Sequence, residues 1–148
     1  MTGKGDDLIR GALAGAGGCL LLGLSDRIER AALGRRPVYA PERVAARLLG
    51  RRSGADGLAG VMRWGYGVGL GVLQALPARP RRFSWTAALG LAGAVFGFEL
   101  WAMPRVGATP PLRRWPRREI ATLGAHTVVF GLATEAARAA LLRARRER

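Results

Sequence analysis

Four long apolar stretches, separated by arginine-rich segments, dominate the pattern of this chain. They cover about residues 8–25, 57–76, 83–103 and 119–142, and Pro104 is expected to stop the third. An α-helix needs roughly 20 mostly apolar residues to cross a bilayer, and inside lipid its backbone must satisfy its own hydrogen bonds. The pattern therefore predicts an all-α, four-span transmembrane helical bundle that forms one integral membrane domain over residues 1–148.

The alternative is a soluble protein in which these stretches are buried helices. Four such stretches in 148 residues leave little amphipathic surface to cover them. The composition of 49% hydrophobic residues with 22 glycines is also unusual for a soluble fold and suits helices packed in lipid. We therefore favour membrane spans.

A short amphipathic helix is predicted over residues 41–49, between the first and second spans. Proline in the first turn and Gly50 after the last turn are typical helix boundaries. Arg43, Arg47 and Arg51 repeat every four residues, away from the apolar side chains. This pattern fits a helix lying in the membrane interface, with a solvated loop helix as the alternative.

Small residues recur every four positions in the first two spans. This spacing lets two helix backbones approach closely, which favours helix association in lipid. In the second span glycine occupies every second position from residue 65 to residue 71. This gives two pairs with the four-residue spacing, Gly65 with Gly69 and Gly67 with Gly71. The predicted helix-packing residues are Gly11, Gly15, Gly18, Gly65, Gly67, Gly69 and Gly71.

The net charge of +14 comes almost entirely from arginine. Such a charge is typical of nucleic-acid-binding proteins or of proteins on anionic surfaces. Here the basic residues lie between the apolar stretches, so we expect contacts with the lipid bilayer and its anionic headgroups and no nucleic acid. The long first and third connections carry slightly more basic residues, which favours the cytoplasmic side for them.

Ionisable residues meet at one predicted end of the bundle. In an up-down-up-down arrangement, Asp26, Arg63, Glu99 and His126 all approach the same membrane boundary, and Tyr66 shares the helix face of Arg63. A charge at that depth is costly unless it is paired. We expect Arg63 to pair with Glu99. The group then serves either as a structural clasp or in proton or ion handling.

Other side chains have simpler predicted roles. Glu135 and Arg138, three residues apart, are expected to form a surface ion pair near the opposite end. The single cysteine, Cys19, cannot form an intrachain disulfide and is expected to pack in the interior. Three tryptophans are predicted to anchor the protein at the membrane interface. They are Trp64, Trp101 and Trp115.

The sequence shows no signature of an enzyme. A nucleophile elbow, the HExxH and CxxC motifs and the phosphate-loop spacings are all lacking, and one histidine cannot form a zinc site alone. We therefore predict no catalytic residues, metal or cofactor. The amino-terminal segment has no positive n-region, and no small-x-small cleavage site follows Leu24 before Asp26, so the first span is expected to remain in the mature protein.

The last 60 residues or so resemble the carboxy-terminal half of the YagU-like family of uncharacterised bacterial inner-membrane proteins. The most specific part is the loop Gly107, Thr109, Pro110 and Pro111, which is followed by His126 in a membrane segment. The remaining matching residues are Gly90, Gly93, Pro104, Pro116, Glu119, Gly124, Glu135 and Arg138. The resemblance implies a multi-pass helical protein of the bacterial inner membrane and supplies no activity.

Two functions fit these observations. In the first, the protein is a structural or accessory membrane component that packs against itself or a larger membrane complex through its glycine faces. In the second, it is a small transporter or a proton-responsive membrane protein that uses the polar cluster. We favour the first, because four short spans leave little room for two alternating gates.

Overall fold

The computed structural model describes residues 4–34, 41–50, 53–76 and 82–144. Regular structure in these residues is entirely helical, as predicted. The helices are α1 (Lys4–Leu33), α2 (Pro41–Leu49), α3 (Ala55–Ala75), α4 (Trp85–Arg105) and α5 (Arg117–Arg143), with a 3-10 turn at Leu112–Arg114. Arg51 of the predicted interfacial repeat and the connection over residues 77–81 lie outside the described residues.

Helix α1 is longer than the first predicted span. It continues past residue 25 for two more turns, to Leu33. Residues 26–33 contain no proline or glycine that would stop a helix, and Gly34, with φ at 61°, provides the first left-handed position. The extension matters because it carries Asp26 and Glu29 on helix α1 rather than on a loop.

Helix α4 ends at Arg105, where a cap at Gly107 and not the predicted proline stops it. Pro104 lies inside the last turn, and the helix continues to Arg105. Gly107 has φ at 68°, and its N–H donates to the Pro104 carbonyl at 3.2 Å, while the Ala108 N–H donates to the Met103 carbonyl at 3.2 Å. These two bonds form a Schellman cap. The prediction that Pro104 stops the helix is therefore wrong.

Three helices are long and apolar enough to cross a membrane: α1 over Gly5–Glu29, α4 over Trp85–Arg105 and α5 over Arg117–Arg143. Helix α3 has a suitable length but is not among these candidates in the described part of the chain. Its glycines and the polar residues Asp56, Arg63 and Gln74 dilute its apolar character. The structure thus gives three candidate spans where the pattern predicted four.

Helix α1 packs against α3 and α5, α4 packs against α5, and α2 packs against α3. The α1–α3 contact is backbone to backbone: a Cβ on Gly15 would overlap the carbonyl oxygen of Gly67, and a Cβ on Gly71 would overlap that of Gly11. Gly18, also predicted to pack, lies against Phe130 of α5. These close approaches require glycine.

Gly65 and Gly69 do not make the predicted contact. No heavy atom of the described residues that the search covers lies within 4 Å of a Cβ built on either one. Both pairings in α3 have the same four-residue spacing, and helix α3 turns the other pair, Gly67 and Gly71, toward α1. Within the described residues, Gly67 and Gly71 make the close helix contact, and Gly65 and Gly69 do not.

Two of the three predicted tryptophan anchors are exposed. Trp64 and Trp101 have exposed side chains, as an interfacial position requires. Trp115 is buried instead, packed with Leu123 and neighbouring apolar residues, and its Nε1 donates to the Pro110 carbonyl at 2.9 Å. The anchor prediction is therefore wrong for Trp115, which is a core residue of the α4–α5 connection.

Candidate functional site

Three helices bring four ionisable side chains together at one end of the bundle. Asp26 and Glu29 lie three residues apart on α1, Arg63 comes from α3, and His126 comes from α5. We name these four residues the Asp26 cluster. Asp26, Glu29 and His126 are each more than 90% buried, so the group lies inside the protein and not on a solvated face.

Asp26 is the centre of this cluster. One of its oxygens, Oδ2, accepts a hydrogen bond from Arg63 Nη2, and the other, Oδ1, lies 2.9 Å from His126 Nδ1. The second imidazole nitrogen, Nε2, lies 3.3 Å from Glu29 Oε2. A carboxylate of α1 therefore faces each nitrogen of the imidazole. Cys19 packs beside the group, and its Sγ donates to the Arg63 carbonyl at 3.3 Å.

The predicted ion pair between Arg63 and Glu99 is not formed. In the described residues Arg63 pairs with Asp26, which the extension of α1 brings within reach. Glu99 of α4 remains a neighbour, close enough to interact electrostatically with Asp26, Arg63 and His126. It adds a third carboxylate to this end of the bundle.

Tyr66 lies on the α4 side of the cluster. Its ring stacks on Phe98, with ring centroids 6.0 Å apart and an angle of 25° between the planes, and its hydroxyl interacts electrostatically with Glu99. The structure thus gathers the five predicted residues Asp26, Arg63, Tyr66, Glu99 and His126 at one end. Glu29 was missed, although a helix continuing past residue 25 would have placed it one turn beyond Asp26.

A second buried polar group lies toward the other end of α3. Glu135 accepts from Arg138 Nε at 2.8 Å and Nη2 at 2.6 Å, from Gln74 Nε2 at 3.2 Å and from the Ser84 N–H at 3.0 Å. Arg138 also donates to the Arg82 carbonyl at 3.1 Å. We name Gln74, Glu135 and Arg138 the Glu135 cluster.

The predicted pair between Glu135 and Arg138 therefore exists, but its predicted surface position is wrong. Glu135 is fully buried and Arg138 nearly so. The hydrophobic pattern did not predict the burial of Glu135 and Arg138, because both residues lie near the predicted end of the last span. Only the fold shows that α3 and the start of α4 cover them.

The loop of Gly107, Thr109, Pro110 and Pro111 has a structural role in this chain. Gly107 forms the cap of α4, Thr109 is buried, and the Pro110 carbonyl accepts from the buried Trp115. Pro111 precedes the 3-10 turn. These contacts fix how the chain enters α5, which carries His126.

Helix α2 has the predicted bounds and an amphipathic character. Val44 and Ala45 are buried, and Ala45 packs with Ala55 and Ala59 of α3, whereas Arg43 and Arg47 are exposed. Its apolar face thus rests on α3. Its place in the membrane interface stays a prediction.

The Asp26 cluster offers proton-binding and metal-binding groups. One potential ligand atom each of Asp26, Glu29 and His126 lies within 4.8 Å of the others. One histidine cannot form a zinc site alone, but carboxylates can complete such a site. A comparison with protein-family models, curated proteins and solved structures finds no match for this chain.

Proposed function

We propose that this chain is a four-span membrane protein with a structural or accessory role. The observation that carries the proposal is an inverted distribution of side chains. Large apolar residues such as Leu20, Ile28, Trp85 and Phe98 are at least half exposed, whereas several polar side chains are buried. The buried ionisable residues include Asp26, Glu29, Glu119, His126 and Glu135. A water-soluble fold places these classes the other way round, whereas lipid accepts apolar side chains on the outside.

Helix α3 is the fourth span in this proposal. Its 21 residues correspond to about 31 Å, the thickness of a hydrocarbon core. Its polar residues Arg63 and Gln74 are directed into the Asp26 and Glu135 clusters, and its glycines 67 and 71 lie against α1. Helix α3 can thus cross the bilayer with a lower apolar content than its neighbours, because other helices cover its polar groups.

The site of action in this proposal is the bacterial inner membrane, as the resemblance to the YagU-like family implies. The exposed arginines at the end of the bundle formed by α2 and the α4–α5 connection are suited to anionic lipid headgroups. They include Arg43, Arg47, Arg105, Arg113, Arg114, Arg117 and Arg118. No part of this arrangement favours nucleic acid, since the basic residues border apolar helices.

An accessory role is supported by how little of α4 is covered. Helix α4 packs mainly on α5, and only Ala88, Ala92 and Val95 of its 21 residues are buried. Much of its surface therefore remains for lipid, a second copy or another membrane protein.

The membrane assignment is tested by expressing the full chain and extracting the membranes with alkaline carbonate. We expect the protein to stay in the pellet and to require detergent for solubility. Recovery in the aqueous fraction without detergent would contradict the assignment.

The accessory role is tested on the detergent-purified protein by native mass spectrometry. We expect a defined homo-oligomer or a stoichiometric complex with another membrane protein. A monomer that instead catalyses ion flux in liposomes would contradict the accessory role and support a transporter.

A further inference from the structure

We propose that a groove between the start of α4 and the end of α5 binds one anionic phospholipid molecule. The lipid phosphate lies on Arg143, and an acyl chain lies along an alanine face of α5. This inference rests on the proposed membrane location and does not depend on the accessory role.

The shape of the groove is the first argument. Its volume is about 400 Å³, within the range of about 300 to 1,000 Å³ that is typical of ligand sites. Alanines 136, 140 and 144 follow one another in steps of four, so they share one face of the helix. Small side chains on this face leave room for a hydrocarbon chain. The groove is lined by Phe83, Ala136, Ala139, Ala140, Arg143 and Ala144.

Hydrogen bonds hold Phe83, the lining residue that precedes α4, against α5. Arg138 Nη2 donates to the Arg82 carbonyl at 3.1 Å, and the Ser84 N–H donates to Glu135 Oε1 at 3.0 Å. The residues directly before and after Phe83 are therefore both bonded to side chains of α5. The groove is thus part of the packing between two helices, and the Glu135 cluster maintains its width.

The groove lies where α4 and α5 leave the bilayer in the proposed arrangement. Helix α4 begins at Trp85 and α5 ends at Arg143. Trp85 is 64% exposed, and its ring packs edge-on against Phe83 with the ring centroids 5.1 Å apart, as suits a tryptophan at the membrane interface. Ala136 precedes Arg143 by seven residues, or about 10 Å along the axis. One end of the groove therefore faces hydrocarbon and the other faces the headgroups.

Charge identifies the kind of lipid. Among the described residues that line the groove, Arg143 is the only charged one, and its side chain is exposed. A guanidinium binds phosphate through paired N–H donors. Arg82, which precedes Phe83, is also exposed and adds positive charge at this end. Apolar surface below and positive charge above match a phospholipid with a net negative headgroup.

The test is native mass spectrometry of the delipidated full chain in detergent, titrated with phosphatidylglycerol or with phosphatidylcholine of the same acyl chains. We expect the wild type to bind one phosphatidylglycerol molecule more tightly than phosphatidylcholine. Arg143→Gln should lower the affinity for phosphatidylglycerol by about fivefold and change that for phosphatidylcholine little. Arg27→Gln makes the same change of charge at an exposed position of α1 and should bind both lipids as the wild type does.

A second pair of variants tests the apolar part of the groove. Ala140→Leu places a larger side chain in the groove and should lower the affinity for both lipids. Ala94→Leu makes the same change at an exposed position of α4 and should leave both affinities unchanged. Without added phospholipid, Arg143→Gln and Ala140→Leu should unfold in detergent as the wild type does, which separates lipid binding from stability.

Three results would overturn the proposal. The first is equal affinity of the wild type for the two lipids, and the second is unchanged binding by Arg143→Gln or Ala140→Leu. The third is a change of oligomeric state in Ala140→Leu without loss of lipid, which would assign the groove to a second copy of the chain. Each of these leaves the membrane location standing, because carbonate extraction tests that separately.

Discussion

The two buried polar clusters of this protein are built from similar residues but differ in how many carboxylates they contain. In the Glu135 cluster one carboxylate faces one guanidinium, and each oxygen of Glu135 accepts two hydrogen bonds. In the Asp26 cluster two carboxylates, an imidazole and a guanidinium meet, with Glu99 as a further carboxyl neighbour. The first group contains one carboxylate, whereas the second contains two with a third nearby.

This difference separates the two groups. In the Glu135 cluster one carboxylate and one guanidinium join helices and fix their register. The Asp26 cluster adds an imidazole and a further carboxylate, which are proton-binding groups. We therefore expect the Glu135 cluster to contribute mainly to stability.

The largest effect is expected in the Glu135 cluster. Glu135→Gln or Arg138→Met leaves the partner charge buried without compensation, which typically costs about 3 to 5 kcal/mol. Unfolding of each variant in detergent micelles would measure this loss. The double variant should recover part of it, because it leaves neither charge behind.

A matched control is available on the same helix. Arg143 lies five residues after Arg138 and is exposed, so Arg143→Met should change the free energy of unfolding by no more than about 0.5 kcal/mol. Equal losses of stability for Arg138→Met and Arg143→Met would contradict a stabilising role of the Glu135 cluster.

The next effect concerns the α1–α3 contact, which holds α3 in place between the two clusters. Gly15→Ala would put a methyl group against the Gly67 backbone, and such overpacking typically costs about 1 to 3 kcal/mol. Gly69→Ala meets no neighbouring atom and should be neutral or stabilising by up to about 1 kcal/mol. Thermal unfolding of the two variants compares them directly. A greater loss for Gly69→Ala would mean that α3 faces α1 in the other register.

The smallest effect is the coupling inside the Asp26 cluster. Arg63 is partly exposed, so solvent screens its pair with Asp26. A double-mutant cycle with Arg63→Met and Asp26→Asn should give a coupling free energy in the lower part of the range of about 0.5 to 3 kcal/mol. The same cycle with Glu99→Gln in place of Asp26→Asn should give less. Stronger coupling to Glu99 would restore the pairing expected from the sequence.

Much of the helical architecture could be predicted because it depends on local pattern. The apolar stretches predicted α1, α3, α4 and α5, and proline with glycine bounded α2. The end of α4 could not be predicted from Pro104, since the last turn of a helix tolerates a proline and the Schellman cap at Gly107 decides the boundary.

The polar site was predictable as a group of residues but not as a set of bonds. Alternation of helix direction placed Asp26, Arg63, Glu99 and His126 at one end. The partner of Arg63 depends on helix rotation and on the length of α1, which hydrophobicity alone does not fix. For the same reason, periodicity could not choose between the two glycine pairs of α3.

The central proposal is that α3 crosses the bilayer as a fourth span, which would place the two clusters toward opposite faces of the membrane. Arg63 and Gln74 are eleven residues apart on α3, or about 16 Å along its axis.

Labelling of Ser53→Cys and Leu76→Cys with an impermeant maleimide in intact cells tests this claim most directly, because these exposed positions flank α3. The buried Cys19 provides an unreactive background. We predict that one position is labelled in intact cells and the other only after permeabilisation. Labelling of both positions from the same side would contradict the four-span arrangement.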